Sequence, residues 1–489
     1  MLEREIKLDA PASFRLEAVT ALGGGYRLSK IETATFDSRY FDTADFRLTR
    51  AGCSLRYRTG QGWTLKLPQT PEHGEMARLE LASDAGPRTP PPALLDLITG
   101  YVRTRRMRPI ATLRTVRRTL SVRGVGGSIL AEIAEDDVTH LALEGKPSGF
   151  REIEVELREQ APAALLVDLA RRLQAVGAGT LIHESKIQRA LGGSAALVPE
   201  LRRPPISPHS GVGNLIRAEI SKYVAELQAN DAAIRLGYGP EPLHVARVAT
   251  RRLRSTLRTF RSVLDQSWAQ RLSDDLAWLG RCLGAARDAD VLVQRLRESA
   301  AQLDNDFGAQ RARFIAALHE GLDPKYRSVR RALRSPRYAR LLDRLVNAAS
   351  HPKLVTGAEI PARLLLPKLI RGPWRKMCKA AKHADARSPD DQLHALRIRV
   401  RRCRYAVETG QQVLGPAAEK FAAKLAQLQE ALGEQHDAVV AQDYIKNVAA
   451  KARASRVGAA LLDRERRIDF RCRRAWSKAW TKVKRAKFF

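Results

Sequence analysis

The sequence predicts a multidomain α+β protein, with a closed antiparallel β-sheet in residues 1–195 and an all-α region in residues 211–489. Short segments with alternating charged and apolar residues fill the first part, and long amphipathic segments with few turn residues fill the second. Between residues 192 and 213 lie four prolines with several Gly and Ser residues, a composition that stops helices and strands. We therefore expect a domain boundary with a linker at residues 196–210.

The charge of the chain is concentrated in its second part. Of the 489 residues, 44% are hydrophobic and 28% are charged, which is typical of a globular rather than a disordered protein. The formal net charge is +32, but residues 1–200 carry 28 Lys and Arg against 25 Asp and Glu, whereas residues 201–489 carry 57 against 28. Because such an excess repels itself, we expect an anionic partner. Nucleic acid, polyphosphate and an anionic membrane surface all qualify.

The cysteines and the N-terminus indicate a cytoplasmic protein. Five cysteines, an odd number, are far apart and form no C-x-x-C pair, which argues against a disulfide framework and a zinc site. They are Cys53, Cys282, Cys378, Cys403 and Cys472. The first residues alternate in charge and lack the apolar segment of a signal peptide, and no run of about 18 apolar residues occurs. We expect no membrane span.

The first part is predicted to consist mainly of short strands. In residues 2–8 the side chains of Glu3, Glu5 and Lys7 point to one side, because the side-chain period of a strand is two. Further strands are predicted at residues 54–57, 63–67, 77–81, 112–122, 129–133 and 151–157, and a helix at residues 163–175. Many short strands separated by turn residues predict an antiparallel sheet that closes on itself.

Charged residues occupy the strand parity that faces the interior of such a sheet if helices cover its outside. Buried charges are tolerated where they pair or bind a ligand of complementary charge, so the lining predicts a joint site for metal and phosphate. The predicted metal ligands are carboxylates, which suit Mg²⁺ or Mn²⁺: Glu3, Glu5, Glu154 and Glu156. The predicted phosphate ligands are the cations Lys7, Arg56, Arg58, Lys66 and Arg117. The alternative is a solvated outer face of an ordinary sheet.

The N-terminal motif resembles that of a known superfamily. Glu3-x-Glu5-x-Lys7 is similar to the ExExK signature of the CYTH, or triphosphate tunnel metalloenzyme, superfamily. Agreement in order and spacing continues through Tyr40-Phe41-Asp42-Thr43, Leu55-Arg56-Tyr57-Arg58, Thr64-Leu65-Lys66, Arg78-x-Glu80, Ala131-Glu132-Ile133, Asp136-Asp137-Val138, Glu152-Ile153-Glu154-Val155-Glu156 and Ser185-Lys186.

The resemblance implies an eight-stranded antiparallel tunnel with flanking helices that hydrolyses triphosphate compounds with Mg²⁺ or Mn²⁺. It assigns catalytic roles to Glu3, Glu5 and Lys7 and makes Lys186 a further phosphate ligand. Two positions stay open in the sequence. The basic residue of the strand at 112–122 is Arg114, Arg117 or Arg118, and one acidic role falls to Asp136 or Asp137.

The second part is predicted to be helical, with segments at residues 212–235, 241–264, 268–299, 303–320, 327–347, 361–382, 389–414, 417–446 and 450–480. The pattern H-x-x-R-x-x-x-R-R-x-R occurs twice, and its His and three of its Arg residues lie within roughly 80° on a helix. These cationic rows are His244, Arg247, Arg251 and Arg254, and His394, Arg397, Arg401 and Arg404. The opposite faces are apolar: Ala246, Leu253, Leu257, Phe260 and Leu264 in the first copy, and Leu396, Val400, Cys403, Val407 and Leu414 in the second.

A second motif is duplicated at nearly the same offset. A leucine series that ends in Leu283-Gly284 and is followed by Arg287-Asp288 matches a series that ends in Leu432-Gly433 and is followed by His436-Asp437. Two motifs at one offset predict an internal repeat, about residues 211–350 and 360–489, which forms a pair of four-helix bundles related by a pseudo-twofold axis. We interpret Asp288 and Asp437 as carboxylates that orient the Arg rows, not as catalytic acids.

The Arg rows indicate an anionic ligand, because the cations of this part greatly outnumber its anions and cannot all pair internally. Aromatic residues that would stack on bases are sparse along the rows, so a linear polyanion without bases is favoured, although nucleic acid stays open. The region resembles the CHAD, or conserved histidine α-helical, domain. The resemblance implies that inorganic polyphosphate binds the two rows, with Lys222 and Lys376 of each copy's first helix as further ligands.

Together, the resemblances imply an inorganic triphosphatase with a polyphosphate-binding domain. That domain would deliver chain ends to the tunnel or localise the protein on polyphosphate granules. Two alternatives remain: a protein that binds polyphosphate with a silent tunnel, and a nucleic-acid binder.

Overall fold

The computed structural model describes residues 2–19, 25–68, 76–86, 89–141, 148–192, 198–303, 307–355 and 359–486. The chain divides into two compact units, residues 1–200 and residues 201–489. Residues 196 and 197 of the predicted linker lie outside the described residues, and residues 198–210 form neither helix nor strand. All five cysteines are free.

The first unit is an antiparallel barrel. Its strands are β1 (Leu2–Asp9), β2 (Arg27–Leu28), β3 (Glu32–Asp42), β4 (Ser54–Arg58), β5 (Gly62–Pro68), β6 (Met76–Ser83), β7 (Arg108–Arg123), β8 (Ile129–His140), β9 (Ser148–Leu157) and β10 (Leu181–Ile182). Eight of them pair in the order β1-β6-β5-β4-β3-β7-β8-β9, and β9 pairs with β1 to close the ring. The predicted eight-stranded closed sheet is confirmed, with β2 and β10 as short additions.

Where a helix covers the barrel, the side chains on both faces of its strands are buried. Helix α4 (Ala164–Ala175) packs its leucines against the outward side chains of β1 and β9, among them Leu8 and Val155. The inward parity of β1 holds Glu3, Glu5 and Lys7, which are also buried. Because the outer parity is covered by apolar residues, the charged parity of these strands faces the lumen, as the sequence predicts.

An apolar cluster lies beside the C-terminal helix of this unit. Tyr40, Leu113 and Val138 pack against Ile187 of helix α5 (Lys186–Ala190). Helix α5 begins with a capping box formed by Ser185 and Gln188, which fixes the backbone just before Lys186. The helices α1 (Arg47–Arg50), α2 (Pro92–Leu97) and α3 (Thr99–Val102) are short connections between strands.

One long strand was not predicted from the sequence. Strand β3 pairs with both β4 and β7. Its first residues, Glu32 to Thr35, are exposed, so they lack the clear alternation of the other strands. Long pairing with β7 holds this segment in the sheet despite its weak pattern.

The second unit is all-helical. Its helices are α6 (Val212–Leu236), α7 (Pro240–Thr259), α8 (Gln266–Ala301), α9 (Gly308–Glu320), α10 (Leu322–Leu333), α11 (Pro336–Ser350), α12 (Ala362–Lys382), α13 (Asp390–Thr409), α14 (Gln411–Leu414), α15 (Pro416–Lys451) and α16 (Ser455–Lys484). The predicted segment at 303–320 includes residues 304–306, which lie outside the described residues.

Two predicted helical segments are interrupted. The segment at 327–347 divides into α10 and α11, because Ser335 accepts a hydrogen bond from the Tyr338 N–H as an N-cap and Pro336 begins a new helix. The segment at 389–414 divides at Gly410 into α13 and α14. A continuous periodic pattern therefore overestimated helix length at both places.

A single apolar cluster joins helices of both predicted repeats. It contains Leu253 of α7, Leu283 of α8, Val400 of α13 and Leu432 of α15. The predicted apolar faces of the two motif helices are buried here, with Leu414 packed at the edge. A second cluster joins the distal halves of α8 and α15 to α9 and α16. Among the described residues, no helix is long and apolar enough to cross a membrane.

Candidate functional site

The barrel lumen contains a cavity of about 520 Å³ lined mainly by charged side chains. The lining residues are Glu3, Lys7, Tyr40, Ser54, Arg56, Arg58, Gln61, Lys66, Arg78, Glu80, Ala82, Arg117, Glu154, Glu156, Arg158, Ser185, Lys186 and Ile187. All of the predicted tunnel ligands except Glu5 line this cavity, and Glu5 lies behind it in contact with Lys7 and Arg78.

Two carboxylates of β1 are held by cations from neighbouring strands. Lys66 donates to Glu3 at 2.5 and 2.7 Å, and Arg78 lies 3.3 Å from Glu5 Oε1. Burial raises the pKa of Glu3, and the Glu5 charge adds to this although Lys66 opposes it. Burial also acts to raise the pKa of Glu5, but Lys7 and Lys66 outweigh it and leave that pKa lowered. Glu5 is therefore an ionised carboxylate at neutral pH.

Lys186 joins three carboxylates in the lumen. Its ammonium lies 2.7 Å from Asp136, 2.8 Å from Glu152 and 2.6 Å from Glu154. Burial lowers the pKa of Lys186, but the three carboxylates outweigh burial and raise it far above its usual value. Lys7 donates to Glu154 at 2.5 Å. Two buried ammonium groups thus meet at Glu154.

The structure distinguishes among the basic residues of β7. Arg117 donates to Asp136 at 2.7 and 2.6 Å and also to Glu154, inside the lumen. Arg114 is more than half exposed and pairs with Asp37, and Arg118 pairs with Glu135 on the outer side. Asp136 is fully buried whereas Asp137 is exposed, so the inward residues are Arg117 and Asp136.

Two arginines of β4 border the same cavity without a carboxylate partner among the described ion pairs. Arg56 Nε is buried and makes no hydrogen bond within the described residues. Arg58 donates to Ser38 at 3.1 Å and stacks 3.6 Å over the Phe36 ring. Burial, together with the Arg56 charge, lowers the pKa of Arg58 to about 9. Such crowded cations favour an anionic ligand.

Crowded carboxylates lie across the lumen from these arginines. Burial, followed by the Glu3 charge, raises the pKa of Glu156 to about 7. Glu5 and Glu156 are opposite each other in the β1–β9 pairing, and Glu5 Oε1 makes no hydrogen bond within the described residues. Arg78 lies 3.3 Å and Lys7 3.8 Å from Glu5 Oε1. A buried carboxylate oxygen that accepts no hydrogen bond and has further carboxylates beside it fits a hard divalent cation such as Mg²⁺ or Mn²⁺.

The predicted ligand Glu154 is close enough to Glu5 for its charge to act on the Glu5 pKa. It belongs to a second set with Asp136 and Glu152, whose carboxylate oxygens come within 4.8 Å of one another. That set is paired with Lys186 and Arg117. Glu152 shares the strand parity of Glu154, so the same alternation could have identified it from the sequence. Tyr40 lies beside Arg56 in the site, but the alternation of charged residues does not identify it.

The cationic rows of α7 and α13 converge. Burial and the charges of Arg247 and Arg397 lower the pKa of Arg251, even though Tyr405 raises it. Burial, followed by Arg251, lowers the pKa of Arg401 to about 10. Four arginines, two from each predicted row, therefore share one electrostatic environment, as expected for a surface that receives a polyanion.

The two copies are held by equivalent contacts. Arg247 pairs with Asp288, and Arg397 lies 4.0 Å from Asp437. The guanidinium groups lie against Gly284 and Gly433, where an added Cβ would be in ordinary van der Waals contact with them, 3.6 Å from Arg397 Nε at Gly433. These contacts agree with the interpretation that the aspartates orient the rows.

Histidines make the copies chemically unequal. The His394 and His436 rings lie 4.3 Å apart, with 3.2 Å between their Nδ1 atoms. Burial, followed by Arg397, lowers the pKa of His436 to about 4, and burial with Arg397 also lowers that of His394. For His244, burial and the Arg287 charge lower the pKa. These histidines are neutral at pH 7 without a ligand.

The remaining predicted ligands lie in different surroundings. Arg254 Nε is buried and makes no hydrogen bond within the described residues, whereas Arg404 donates to Gln429 at 3.1 Å. Lys222 stacks 5.1 Å over Tyr223 on α6. Lys376 is exposed on α12. The binding of polyphosphate by these two lysines stays a prediction.

The fold and its two charged surfaces define a class of protein: a closed β-barrel with a charged lumen, followed by a helical domain with paired arginine rows. Residues 1–191 match the CYTH domain, and residues 218–446 match the CHAD domain. The chain belongs to the family of proteins in which a CYTH domain, a triphosphate tunnel, precedes a CHAD domain. As a family, CYTH domains are metal-dependent and include triphosphatases.

Curated relatives share this organisation over most of their length. An uncharacterized protein of Mycobacterium tuberculosis strain H37Rv is 32% identical over 474 residues, which cover 91% of this chain and 88% of the relative. A protein of strain CDC 1551 / Oshkosh matches with the same values.

Several solved structures are similar to parts of the chain. PptA from Streptomyces chartreusis is 24% identical, with a TM-score of 0.46, and covers 56% of this chain and 100% of its own. The CHAD domain from Ricinus communis is 24% identical, with a TM-score of 0.48, and covers 58% and 96%. HpAC1 from Hippeastrum, described with a dominant triphosphatase activity, is 16% identical, with a TM-score of 0.24, and covers 40% and 96%.

Proposed function

We propose that the barrel hydrolyses inorganic triphosphate or a related triphosphate with a divalent metal, and that the helical domain binds inorganic polyphosphate. The observation that carries the first half is the lumen itself. It brings cations and crowded carboxylates together around one cavity of about 520 Å³, and two of the cations, Arg56 and Arg58, have no carboxylate partner among the described ion pairs. Cations alone would suit an anion-binding site, whereas carboxylates beside them suit a metal-assisted phosphoryl transfer.

The proposed roles follow from where the side chains lie. Arg56, Arg58 and Arg117 border the cavity and would bind phosphate oxygens. Lys7, Lys66 and Lys186 now pair with carboxylates and could pair with phosphate when a substrate enters. An anhydride chain would thus be fixed along the lumen by cations on several strands, which orients its terminal phosphoryl group.

The carboxylates supply the metal site in this proposal. Glu3, Glu5 and Glu156 would hold Mg²⁺ or Mn²⁺, with Glu154 as the fourth predicted ligand after its ammonium partners turn to phosphate. When bound, the metal would act as a Lewis acid on a phosphoryl oxygen. The apolar cluster around Leu113 and Ile187 excludes water from one part of the barrel interior, which strengthens the nearby charge interactions.

The polyphosphate proposal rests on the convergence of the two rows, because the charges of Arg247 and Arg397 lower the pKa of both Arg251 and Arg401. We also propose the domain limits 1–195, 196–210 and 211–489. Within the last of these domains we propose two four-helix repeats related by a pseudo-twofold axis. The contacts of α6, α7, α8 and α11 in one repeat, and of α12, α13, α15 and α16 in the other, support that arrangement. Association with polyphosphate granules follows from the same binding.

A phosphate-release assay tests the proposal. Triphosphate, ATP and long-chain polyphosphate are each incubated with the full chain and with Mg²⁺ or Mn²⁺. We expect metal-dependent release from triphosphate that ceases when the metal is chelated. Tight polyphosphate binding without turnover on any substrate would support a silent tunnel instead, and displacement of polyphosphate by RNA at physiological salt would support a nucleic-acid binder.

A further inference from the structure

The two cationic rows of α7 and α13 together form one surface, here called the Arg surface. Its two ends carry different charges. Aligning His244 with His394 makes Arg254 equivalent to Arg404 and Arg252 equivalent to Arg402. The first end of the surface is formed by Arg254 and Arg402, and the second end is formed by Arg404 and Arg252. In a symmetric site these two ends would match. Comparison of the two ends shows that only one of them is free to bind an anion.

At the second end, carboxylates neutralise the arginines. Glu408 pairs with Arg252 and lies 3.3 Å from Arg404, so one carboxylate holds two guanidinium groups. Arg252 also stacks 3.9 Å over the Tyr405 ring, and Arg404 lies 5.1 Å from its centre. Burial of Arg252 lowers its pKa, but Glu408 outweighs burial and raises it. Both arginines therefore already have a carboxylate partner.

At the first end the equivalent positions carry cations. The residue aligned with Glu408 is Arg258, and the residue aligned with Tyr405 is Ser255. Burial, followed by the charges of Arg402 and Arg254, lowers the pKa of Arg258. At the first end a cation, Arg258, therefore occupies the position that the carboxylate of Glu408 has at the second end.

Helix α8 adds a second charge reversal. Aligning Leu283 with Leu432 makes Arg281 equivalent to Glu430. Burial, followed by the charges of Arg281 and Arg402, lowers the pKa of Arg254, and Asp274 opposes this. Asp274 is exposed and accepts a hydrogen bond from Gln270 at 2.8 Å.

The four cations at the first end lack partners. Arg254, Arg258, Arg281 and Arg402 form no ion pair or hydrogen bond among the described residues, and the Nε atom of Arg254 is buried without an acceptor. The equivalent set at the second end has two arginines and two glutamates. Like charges that are held together without counter-ions lower the stability of the free protein and are offset when an anion binds.

We infer that Arg254, Arg258, Arg281 and Arg402 form an extension subsite that takes a linear phosphate polyanion out of the central Arg surface in one direction only. This inference rests on the proposed polyphosphate binding and specifies its path. A chain seated at Arg251 and Arg401 continues toward Arg258 and Arg281, because the opposite direction ends at Glu408 and Glu430. Chains too short to reach beyond the centre gain nothing from the subsite.

The test compares variants of the full chain by displacement of labelled long-chain polyphosphate with unlabelled chains of increasing length. Arg258→Gln with Arg281→Gln removes two exposed cations of the subsite. Arg331→Gln with Arg340→Gln removes two exposed cations of the same unit elsewhere and serves as the matched control. Circular dichroism checks that each variant is folded.

We expect the subsite pair to weaken binding of long chains by about tenfold or more, since charge-assisted contacts to phosphate are the stronger ones. Binding of the shortest chains should change less than twofold, and the control pair should change long-chain binding about as little. Glu430→Arg, which adds a cation at the opposite end, should strengthen long-chain binding.

Equal losses for the subsite and control pairs, or equal losses for short and long chains, would overturn the one-directional path while leaving polyphosphate binding intact. A wild-type chain that binds no polyphosphate would overturn the proposed function and this inference with it.

Discussion

Lys66 donates hydrogen bonds to both carboxylate oxygens of Glu3, at 2.5 and 2.7 Å, so a predicted phosphate ligand and a predicted metal ligand are paired with each other in the lumen. The same occurs between Lys7 and Glu154. Metal and phosphate are then expected to bind cooperatively. A metal that binds the carboxylate frees the lysine for phosphate, and a phosphate that binds the lysine frees the carboxylate for metal.

The first prediction concerns the pH dependence of metal binding. Glu156 has a pKa of about 7, raised by burial and the Glu3 charge, so it is protonated below that pH and cannot hold a cation. We expect Mn²⁺ affinity to rise between pH 6 and pH 8 and binding near pH 7 to release a proton. Calorimetry in buffers of different ionisation enthalpy measures both effects.

Glu156→Gln should abolish the proton release near pH 7 and flatten the pH profile. Glu159→Gln, an exposed change beyond the end of β9, is the control and should keep both. An unchanged profile in Glu156→Gln would contradict the assignment of Glu156 to the metal site.

The second prediction concerns Lys186. Lys186→Met removes a buried cation and leaves Asp136, Glu152 and Glu154 with less compensation, which costs about 3–5 kcal/mol when a buried pair is broken. We expect faster hydrogen exchange of the β8 and β9 amides at pH 8. Lys30→Met, an exposed change in the same unit, should leave exchange unaltered.

The effect should shrink at lower pH. Burial acts to raise the pKa of Glu154, but Lys186 and Lys7 outweigh it and depress the pKa well below its usual value. The stabilisation from this pairing is therefore present above the unfolded-state pKa and is lost as the pH falls through the folded-state pKa. A Lys186→Met effect that is as large below about pH 4, the usual range of carboxyl pKa values, as at pH 8 would contradict this account.

The third prediction concerns the histidines beside the Arg surface. His394 and His436 have lowered pKa values because of burial and the Arg397 charge. A bound polyanion reverses that field and raises both pKa values, so binding should take up protons. We expect polyphosphate affinity to increase by up to about tenfold between pH 8 and pH 5.5 for each unit of pKa shift.

His436→Arg places a permanent cation where the first copy has Arg287, and it should remove most of this pH dependence. Titration calorimetry at several pH values provides the measurement. A wild-type affinity that does not vary with pH would contradict the coupling.

The fourth prediction concerns the paired rows. Arg251→Ala with Arg401→Ala removes the two residues at the centre of the surface, whose charges act directly on each other. We expect polyphosphate binding to weaken at least about a hundredfold, as for the loss of two charge-assisted contacts. Arg331→Ala with Arg340→Ala is the control, and an equal loss in both pairs would sink the paired-row proposal.

Much of the barrel was predictable because its strands alternate. The parity of Glu3, Glu5 and Lys7 follows from a period of two, and the structure places these residues inward as expected. Periodicity did not predict β3, because its exposed residues do not alternate with buried ones. It also did not predict the break at Ser335, where an N-cap begins a new helix although the apolar pattern continues.

The composition of each site was harder to predict than its location. The pattern could not choose between Arg117 and Arg118, since adjacent residues of a strand differ only in the face they occupy. The pairing of Arg252 with Glu408 depends on a contact between α7 and α13, and neither motif copy alone indicates it. Charge reversal at Arg258 and Arg281 becomes visible only after the two copies are aligned and located in space.

The central claim is that chemistry and polyphosphate binding belong to different domains, and a double dissociation tests it most directly. Phosphate release from triphosphate and binding of long-chain polyphosphate are both measured for Glu5→Gln and for Arg251→Ala with Arg401→Ala. We predict that Glu5→Gln loses metal-dependent release and keeps polyphosphate binding, whereas the double variant loses binding and keeps release from triphosphate. Full release by Glu5→Gln, or loss of both properties in either variant while it remains folded, would contradict the account.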